Sequence, residues 1–128
     1  MPTVLLVEDD RSILELYKVA FVRTGYRFEM AESGQIGLEK AKQILPDIII
    51  LDLMMPGMNG IEVLEKLKAD SSLKHIPVIA LTNMSEFPIV SRATSKGADQ
   101  YIVKTEVEPH KLVDIVVEMI KSSEAEKT

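Results

Sequence analysis

The segment from Asp47 to Asp52 constrains the fold more than any other part of this sequence. Four consecutive apolar residues, three of them β-branched, lie between an acidic residue at each end. Pro46 precedes the segment and Pro56-Gly57 follows it, a pattern typical of a short strand buried in a parallel sheet. Asp52 then stands at the carboxyl end of a central strand, where open α/β sheets bind ligands. The competing interpretation is that Asp52 only ends the strand, because aspartate is common in turns.

Size and composition favour one globular domain. The chain has 128 residues, of which 46% are hydrophobic, and this is enough for one core. The formal net charge of −5 argues against binding to nucleic acid or to an anionic membrane. No apolar stretch is long enough for a membrane span or a signal peptide, and the absence of cysteine excludes disulfides and thiolate metal sites. These features predict a soluble cytoplasmic protein with one domain at residues 1–122 and a polar tail at residues 123–128.

The rest of the chain alternates predicted strands with predicted helices. Apolar runs predict four further strands, at residues 3–7, 26–31, 76–81 and 101–103. A helix is predicted after each strand, and the last helix runs from about residue 108 to residue 121. The predicted caps are Ser33, Asn59 and Ser85 at helix starts and Gly97 after the fourth helix. Alternation of five strands with five helices predicts an α/β fold with a parallel sheet and helices on both faces.

Helical spacing also predicts which side chains face the core. The predicted core faces are Ile13, Leu16, Tyr17, Ala20 and Phe21 in the first helix, Leu38, Ala41 and Leu45 in the second, Ile61, Leu64 and Leu67 in the third, and Leu112, Ile115, Val116 and Met119 in the last. In the last helix, Val113, Val117 and Ile120 widen the apolar surface. An apolar stripe of that width predicts a docking or dimer surface.

Polar side chains follow most of the predicted strands, at the point where each strand ends. Because parallel strands point the same way, these side chains converge on one edge of the sheet. The residues at the strand ends are Glu8, Asp9, Ala31, Asp52, Thr82 and Lys104. Crowded carboxylates need a cation or a raised pKa, and oxygen ligands without cysteine or histidine favour Mg²⁺. A carboxylate beside Mg²⁺ can attack a phosphoryl group, and a nearby lysine helps to neutralise the transferring oxygens.

Five separated motifs resemble those of two-component response-regulator receiver domains, over essentially the whole chain. They are V-E-D-D at residues 7–10, P-D-I-I-I-L-D at 46–52, M-P-G-M-N-G at 55–60, L-T at 81–82, and G-A-D at 97–99 leading to Tyr101 and Lys104. The resemblance, to stand-alone receivers of the chemotaxis type, implies a flavodoxin-like (βα)5 fold with strand order 2-1-3-4-5. Residues 1–122 would then be the receiver domain.

The resemblance implies a role for each matching residue. Asp52 resembles the phosphoacceptor, and Lys104 resembles the lysine that contacts the phosphoryl group. Thr82 and Tyr101 resemble the switch residues. The implied ligands of Mg²⁺, for which Mn²⁺ can substitute, are Glu8, Asp9, Asp52 and the backbone carbonyl of Met54. A domain of this kind catalyses its own phosphorylation and dephosphorylation. Asp10, by contrast, is predicted to face the N-terminus of the first helix.

The resemblance also implies partners. A histidine kinase or phosphotransfer protein would donate the phosphoryl group, and an unidentified downstream protein would read the result. The output surface would comprise the fourth helix, the fifth strand and the last helix, and the low helix propensity of the fourth suits an element that shifts on phosphorylation. A homodimer through the last-helix face is expected, whereas direct DNA binding and membrane binding are not. The length leaves no room for a DNA-binding output domain, although the sequence could be part of a longer protein.

Two residues depart from the usual receiver pattern. Asn83 follows the threonine where a small residue is usual, and its larger amide is predicted to narrow access to Asp52. Thr105 follows the lysine where a proline with a cis peptide bond is usual. A cis bond before a residue other than proline costs about 3 kcal/mol, so a trans bond is expected here, which leaves the position of Lys104 less defined than that of the carboxylates.

Three alternative functions remain open. A degenerate receiver would act as an interaction module without phosphorylation, and Asn83 and Thr105 are the residues that favour it. An aspartate-nucleophile phosphatase would place a second aspartate two residues after the nucleophile, where this chain has Met54. A flavodoxin-type FMN carrier would need a phosphate loop after the first strand, where residues 8–10 are acidic and would repel phosphate.

Overall fold

Strands and helices alternate along the chain. The computed structural model describes the backbone of residues 1–83 and 87–127 and the side chains of residues 1–83 and 91–125. The strands are β1 (Thr3–Val7), β2 (Arg27–Ala31), β3 (Ile48–Asp52), β4 (Val78–Thr82) and β5 (Gln100–Val103). The helices are α1 (Arg11–Phe21), continued by a 3-10 turn (Val22–Thr24), α2 (Gly34–Ile44), α3 (Gly60–Ala69), α4 (Phe87–Ser95) and α5 (Pro109–Lys127).

The five strands form one parallel sheet in the order β2-β1-β3-β4-β5. This confirms the predicted α/β class and the flavodoxin-like strand order. Every residue of β3 is buried, because successive side chains of the strand point to opposite faces and helices cover both. Ile48 and Ile50 pack in the core between the sheet and helices α1 and α5. Ile49 and Leu51 pack on the other face, against α2 and α3.

Polar side chains cap the starts of two helices, and a glycine closes the end of a third, as predicted. The Ser33 hydroxyl accepts a hydrogen bond from Ile36 N, and the Asn59 side chain accepts one from Glu62 N. Gly97 has φ +106°, and the Gly97 and Ala98 N–H groups bond to carbonyls in the last turn of α4. These two bonds form a Schellman motif, in which a left-handed glycine closes the helix. Ser85, the predicted cap of α4, lies outside the described residues.

The predicted core faces of α1 and α2 are each wrong at one leucine. Leu16 is exposed and Leu14 is buried in its place, together with Tyr17 and Phe21. Leu16 lies about 200° around the helix from Leu14, so the two cannot share a face. Leu45 is also exposed, because α2 ends one residue before it and Leu45 adopts a left-handed conformation with φ 46°. The following proline disfavours the helical conformation at that position.

The last helix is longer than predicted, and only Leu112 and Val116 of its four predicted core residues are fully buried. It continues to Lys127, so residues 123–127 of the predicted polar tail are helical. Val113 and Ile120, predicted to extend the apolar surface beyond the core face, are buried in the core. Ile115 and Met119, predicted to face the core, are only partly buried against it. Within the described ranges, no helix is both long enough and apolar enough to span a bilayer.

The fourth strand is displaced from its predicted limits. It begins at Val78 rather than at residue 76, since Pro77 has no N–H to donate to a neighbouring strand. The Pro77 carbonyl still accepts a hydrogen bond from Ile49 N at 3.0 Å. The strand ends at Thr82, one residue later than predicted, and Thr82 is fully buried.

Candidate functional site

Three carboxylates meet at the carboxyl edge of the sheet. One carboxylate oxygen each from Glu8, Asp9 and Asp52 lies within 4.8 Å of the other two. Glu8 and Asp52 are almost fully buried, with 1% and 2% of their surfaces exposed, whereas Asp9 is exposed. The predicted convergence of the strand ends therefore holds for these three side chains.

The turn between β1 and α1 fixes the position of Glu8. The Glu8 N–H donates to the Ala31 carbonyl of β2 at 3.0 Å, so the ladder extends one residue beyond β1. The Asp10 N–H donates to Glu8 Oε1 at 3.1 Å. The Asp10 side chain accepts from Ser12 N at 2.9 Å and from Ile13 N at 3.3 Å, which caps α1 as predicted. Asp10 thus orients Glu8 through its backbone while its own carboxylate faces the helix.

Lys104 joins the two buried carboxylates. Its Nζ donates to Glu8 Oε2 at 2.6 Å and to Asp52 Oδ2 at 3.3 Å. The Lys104 N–H bonds to the Thr82 carbonyl at 2.7 Å, which extends the β4–β5 ladder up to the site. The bond between Lys104 and Thr105 is trans, as expected. A trans bond therefore does not prevent the lysine from reaching Asp52.

Burial and charge shift the pKa values of Glu8 and Lys104. Burial raises the pKa of Glu8 to about 7; the Asp52 carboxylate adds to the rise, and the hydrogen bond from Lys104 opposes it. Burial acts to lower the pKa of Lys104, but the bond to Glu8 and the charge of Asp52 outweigh it and leave that pKa raised. Lys104 is therefore a fixed positive charge beside the carboxylates.

The loop after β3 holds Met54 beside Asp52. The Met54 N–H donates to Asp52 Oδ1 at 3.0 Å, so both oxygens of Asp52 have a protein hydrogen-bond donor. The loop returns tightly to α3, and the Gly60 N–H bonds to the Leu53 carbonyl at 3.1 Å. A Cβ on Gly60 would collide with the Leu53 Cα and the Asp52 carbonyl. Only glycine therefore fits at the start of α3.

Thr82 lies on β4 and Tyr101 lies on β5, the strand that Lys104 directly follows. Thr82 ends β4 opposite Val103, next to the lysine. Tyr101 lies opposite Ala80, earlier on β5, and is half-buried against an apolar cluster. The members of that cluster are Leu53, Ile61, Ala80 and Ala93. Asn83 is exposed immediately after Thr82.

Tyr17 is a buried polar residue of α1. Helical spacing predicted it only as a core residue of α1, and it is buried among apolar side chains. Burial raises the pKa of its hydroxyl; the charge of Lys104 acts to lower that pKa, and the charge of Glu8 acts to raise it further.

Comparison with known proteins agrees with this arrangement. A family model described as the response regulator receiver domain matches residues 4–117. The chain is 38% identical over 104 residues to the transcriptional regulatory protein AfsQ1 of Streptomyces coelicolor, covering 81% of this chain and 45% of that protein. It is 33% identical over 123 residues to the DNA-binding response regulator MtrA of Mycolicibacterium smegmatis, covering 96% of this chain and 52% of MtrA. The chain thus spans about half the length of these curated relatives.

Solved structures share the fold over nearly the whole chain. The chemotaxis protein CheY4 of Vibrio cholerae, crystallised at low pH, superimposes with a TM-score of 0.85 at 30% identity, covering 92% of this chain and 98% of CheY4. A CheY-like receiver domain protein of Methanospirillum hungatei superimposes with a TM-score of 0.90 at 28% identity, covering 98% of both chains. The family match and this coverage show that the chain belongs to the response regulator receiver domains of two-component systems.

Proposed function

We propose that this domain is a phosphorylation switch in which Asp52 accepts a phosphoryl group from a histidine kinase or a phosphotransfer protein. The observation that carries the proposal is the convergence of Glu8, Asp9 and Asp52 on one point, with the Lys104 ammonium bridging two of them. A buried ion pair of this kind is poor evidence for stability, since both ions lose their hydration. The loss of hydration destabilises the fold, which is expected of a site that serves a reaction rather than stability.

The donor set fits Mg²⁺. Glu8, Asp9, Asp52 and the backbone carbonyl of Met54 would hold the ion, and Mn²⁺ could replace it. All are oxygen donors, as hard divalent cations prefer, and once Glu8 is ionised the three carboxylates exceed the one ammonium by two negative charges. Bound there, Mg²⁺ would neutralise charge on the oxygens of the phosphoryl group being transferred.

The side chains of this chain then have separate parts in the transfer. One oxygen of Asp52 forms a bond to phosphorus while the bond from phosphorus to the donor imidazole breaks, and the imidazole leaves with that electron pair. Lys104 offers its ammonium to the phosphoryl oxygens, and Thr82 binds one of them through its hydroxyl. Later attack of water at phosphorus releases inorganic phosphate and restores the carboxylate. The domain would therefore promote both its phosphorylation and its dephosphorylation.

We infer that the response is read on the surface formed by α4, β5 and α5. Thr82 and Tyr101 would couple the phosphoryl group to this surface, because Tyr101 packs on the same cluster as Ala93 of α4. A homodimer through α5 would use Ile115, Val117 and Met119, which are only partly buried. In a protein as long as AfsQ1 or MtrA, the receiver at residues 1–122 would regulate an attached domain. By itself it would act on a separate protein.

Intact-mass spectrometry after treatment with acetyl phosphate and Mg²⁺ tests the proposal. We expect one phosphoryl adduct that requires Mg²⁺ and is absent in Asp52→Asn. Asp47→Asn is the matched control, since it makes the same change at the opposite, exposed end of the segment. An adduct that persists in Asp52→Asn would contradict the assignment. Absence of both the adduct and Mg²⁺ binding would favour the interaction module that works without phosphorylation.

A further inference from the structure

We propose that α1 carries a self-association surface through which two copies of this chain pair antiparallel about a twofold axis. We call it the α1 face, and it consists of Glu15, Leu16 and Val19 of α1 with Val22 and Arg23 of the 3-10 turn that continues the helix. The pairing needs neither a metal nor a phosphoryl group, so it can be tested apart from the function proposed above.

The α1 face is unusually apolar for an exposed helix. Leu16, Val19 and Val22 are 53%, 70% and 74% exposed, respectively. Four other large apolar side chains in the described part of the chain are similarly exposed, but they are dispersed. Those four are Met1, Ile36, Leu45 and Met54. A single exposed apolar side chain needs no explanation, whereas a contiguous group of them marks an interaction site.

The order of residues along α1 is self-complementary about Val19. Residues three and four positions apart are neighbours on a helix, so Glu15, Leu16, Val22 and Arg23 surround Val19. Val19 therefore lies at the centre of the face, with one apolar and one charged neighbour toward each end of the helix. In an antiparallel pair centred on Val19, Val19 faces its own copy and Leu16 faces Val22. The Val19 contact then lies on the twofold axis, and the contact between Leu16 and Val22 occurs twice, as a twofold interface requires.

Charge selects a second copy as the occupant of this face. The antiparallel pairing places Glu15 of each copy opposite Arg23 of the other, and both residues are exposed. A parallel pairing would instead place like charges together. Arg23 Nη2 already donates to Asp114 Oδ1 at 2.7 Å, which holds the side chain at the edge of the face. The guanidinium has five N–H donors, so others remain for Glu15 of the second copy.

The size of the α1 face predicts a weak dimer. Stable protein interfaces bury about 1,200–2,000 Å² in total, and one short helix face on each copy supplies less. Association should therefore depend on concentration, with monomer at low micromolar and dimer near millimolar protein. Sedimentation velocity over that range measures it with the unmodified chain.

Substitution of the central residue tests the surface. Val19→Glu places two carboxylates on the twofold axis, and we expect the dimer to dissociate at least about tenfold more readily. Leu45→Asn is the matched control: it removes an exposed apolar side chain outside the α1 face, at a left-handed position that asparagine tolerates. We expect the dimer of this variant to be unchanged. A chain that stays monomeric at millimolar concentration, or whose dimer survives Val19→Glu, would overturn the proposal and leave the face to another protein.

Cross-linking tests the antiparallel arrangement independently. The chain has no cysteine, so each introduced thiol is unique. A mixture of Glu15→Cys and Arg23→Cys chains should form a mixed disulfide under mild oxidation, and each variant alone should form little. Disulfides between identical chains without the mixed product would contradict the antiparallel pairing. Loss of the Arg23–Asp114 pair should not disturb the fold, since both side chains are exposed and exposed ion pairs contribute little to stability.

Discussion

Asn83 occupies the exposed position immediately after the buried Thr82, next to the mouth of the site. Its amide extends further than the small residue that receivers usually carry there. We predict that Asn83→Ala raises the rate of phosphorylation by acetyl phosphate several-fold, because the smaller side chain opens the approach to Asp52. Intact-mass time courses measure the rate. Asn83→Gln retains the amide and should give no increase, and an unchanged or lower rate in Asn83→Ala would refute the access argument.

Glu8 should make the metal-free protein less stable as the pH rises. Burial in the folded protein raises the pKa of Glu8 to about 7 from its ordinary value of 4.5, which applies to the unfolded chain. The folded state therefore binds the proton more tightly than the unfolded state does. The stabilising effect is complete below about pH 4.5 and is lost as the pH rises through about 7. The loss amounts to at most about 3 kcal/mol in the free energy of unfolding, as an order of magnitude.

Urea unfolding with a chelator at about pH 5 and about pH 8 measures this effect. Glu8→Gln is the control, because glutamine has a similar shape and does not titrate. Every other acidic residue titrates in both proteins, so the difference between their pH profiles reports Glu8. Parallel profiles would show that the buried carboxyl does not carry the shifted pKa.

The start of α3 is the element that holds the loop after β3 against the site. Gly60→Ala should lower stability by about 1–3 kcal/mol, since a Cβ there collides with the backbone of Asp52 and Leu53. The collision should also displace Asp52 and weaken Mg²⁺ binding.

Gly25→Ala is the control: Gly25 has φ +71° and open space around it, so alanine costs about 1–2 kcal/mol in strain far from the site. Urea unfolding and Mg²⁺ titration by NMR separate the two effects, and equal Mg²⁺ affinity in both variants would argue against a role for Gly60 in positioning Asp52.

At the scale of the whole molecule, Mg²⁺ should stabilise the fold by mass action. A ligand that binds only the folded state adds about 2.7 kcal/mol at a hundred times its dissociation constant. We therefore predict that saturating Mg²⁺ raises the melting temperature of the wild-type protein. Asp52→Asn removes one carboxylate charge from the cluster and should lose most of this increase, whereas Asp47→Asn should keep it. Equal increases in all three proteins, measured by circular dichroism, would place the bound ion elsewhere.

The strand pattern and the site carboxylates could be predicted from the sequence because both depend on local order. The buried run at residues 48–51 has no polar side chain, so it can only be a strand or helix interior, and the flanking prolines limit it to a strand. Once the strands are parallel, Glu8, Asp9 and Asp52 must reach the same edge of the sheet. The family match over residues 4–117 also favours the receiver over the phosphatase and the flavin carrier.

Tertiary packing decided which side chains of the helices are buried. Leu16 and Leu14 are chemically alike, and only the orientation of α1 against the sheet and α5 buries Leu14 and leaves Leu16 exposed. The same is true of α5, where Val113 lies in the core and Ile115 does not. Hydrophobic periodicity indicates that a helix has an apolar face, but it does not fix how the helix is rotated about its axis against the sheet. A helix rich in apolar residues can bury a similar apolar area in several such rotations. The bridge from Lys104 to Glu8 likewise depends on residues 96 positions apart, whose distance only the folded chain sets.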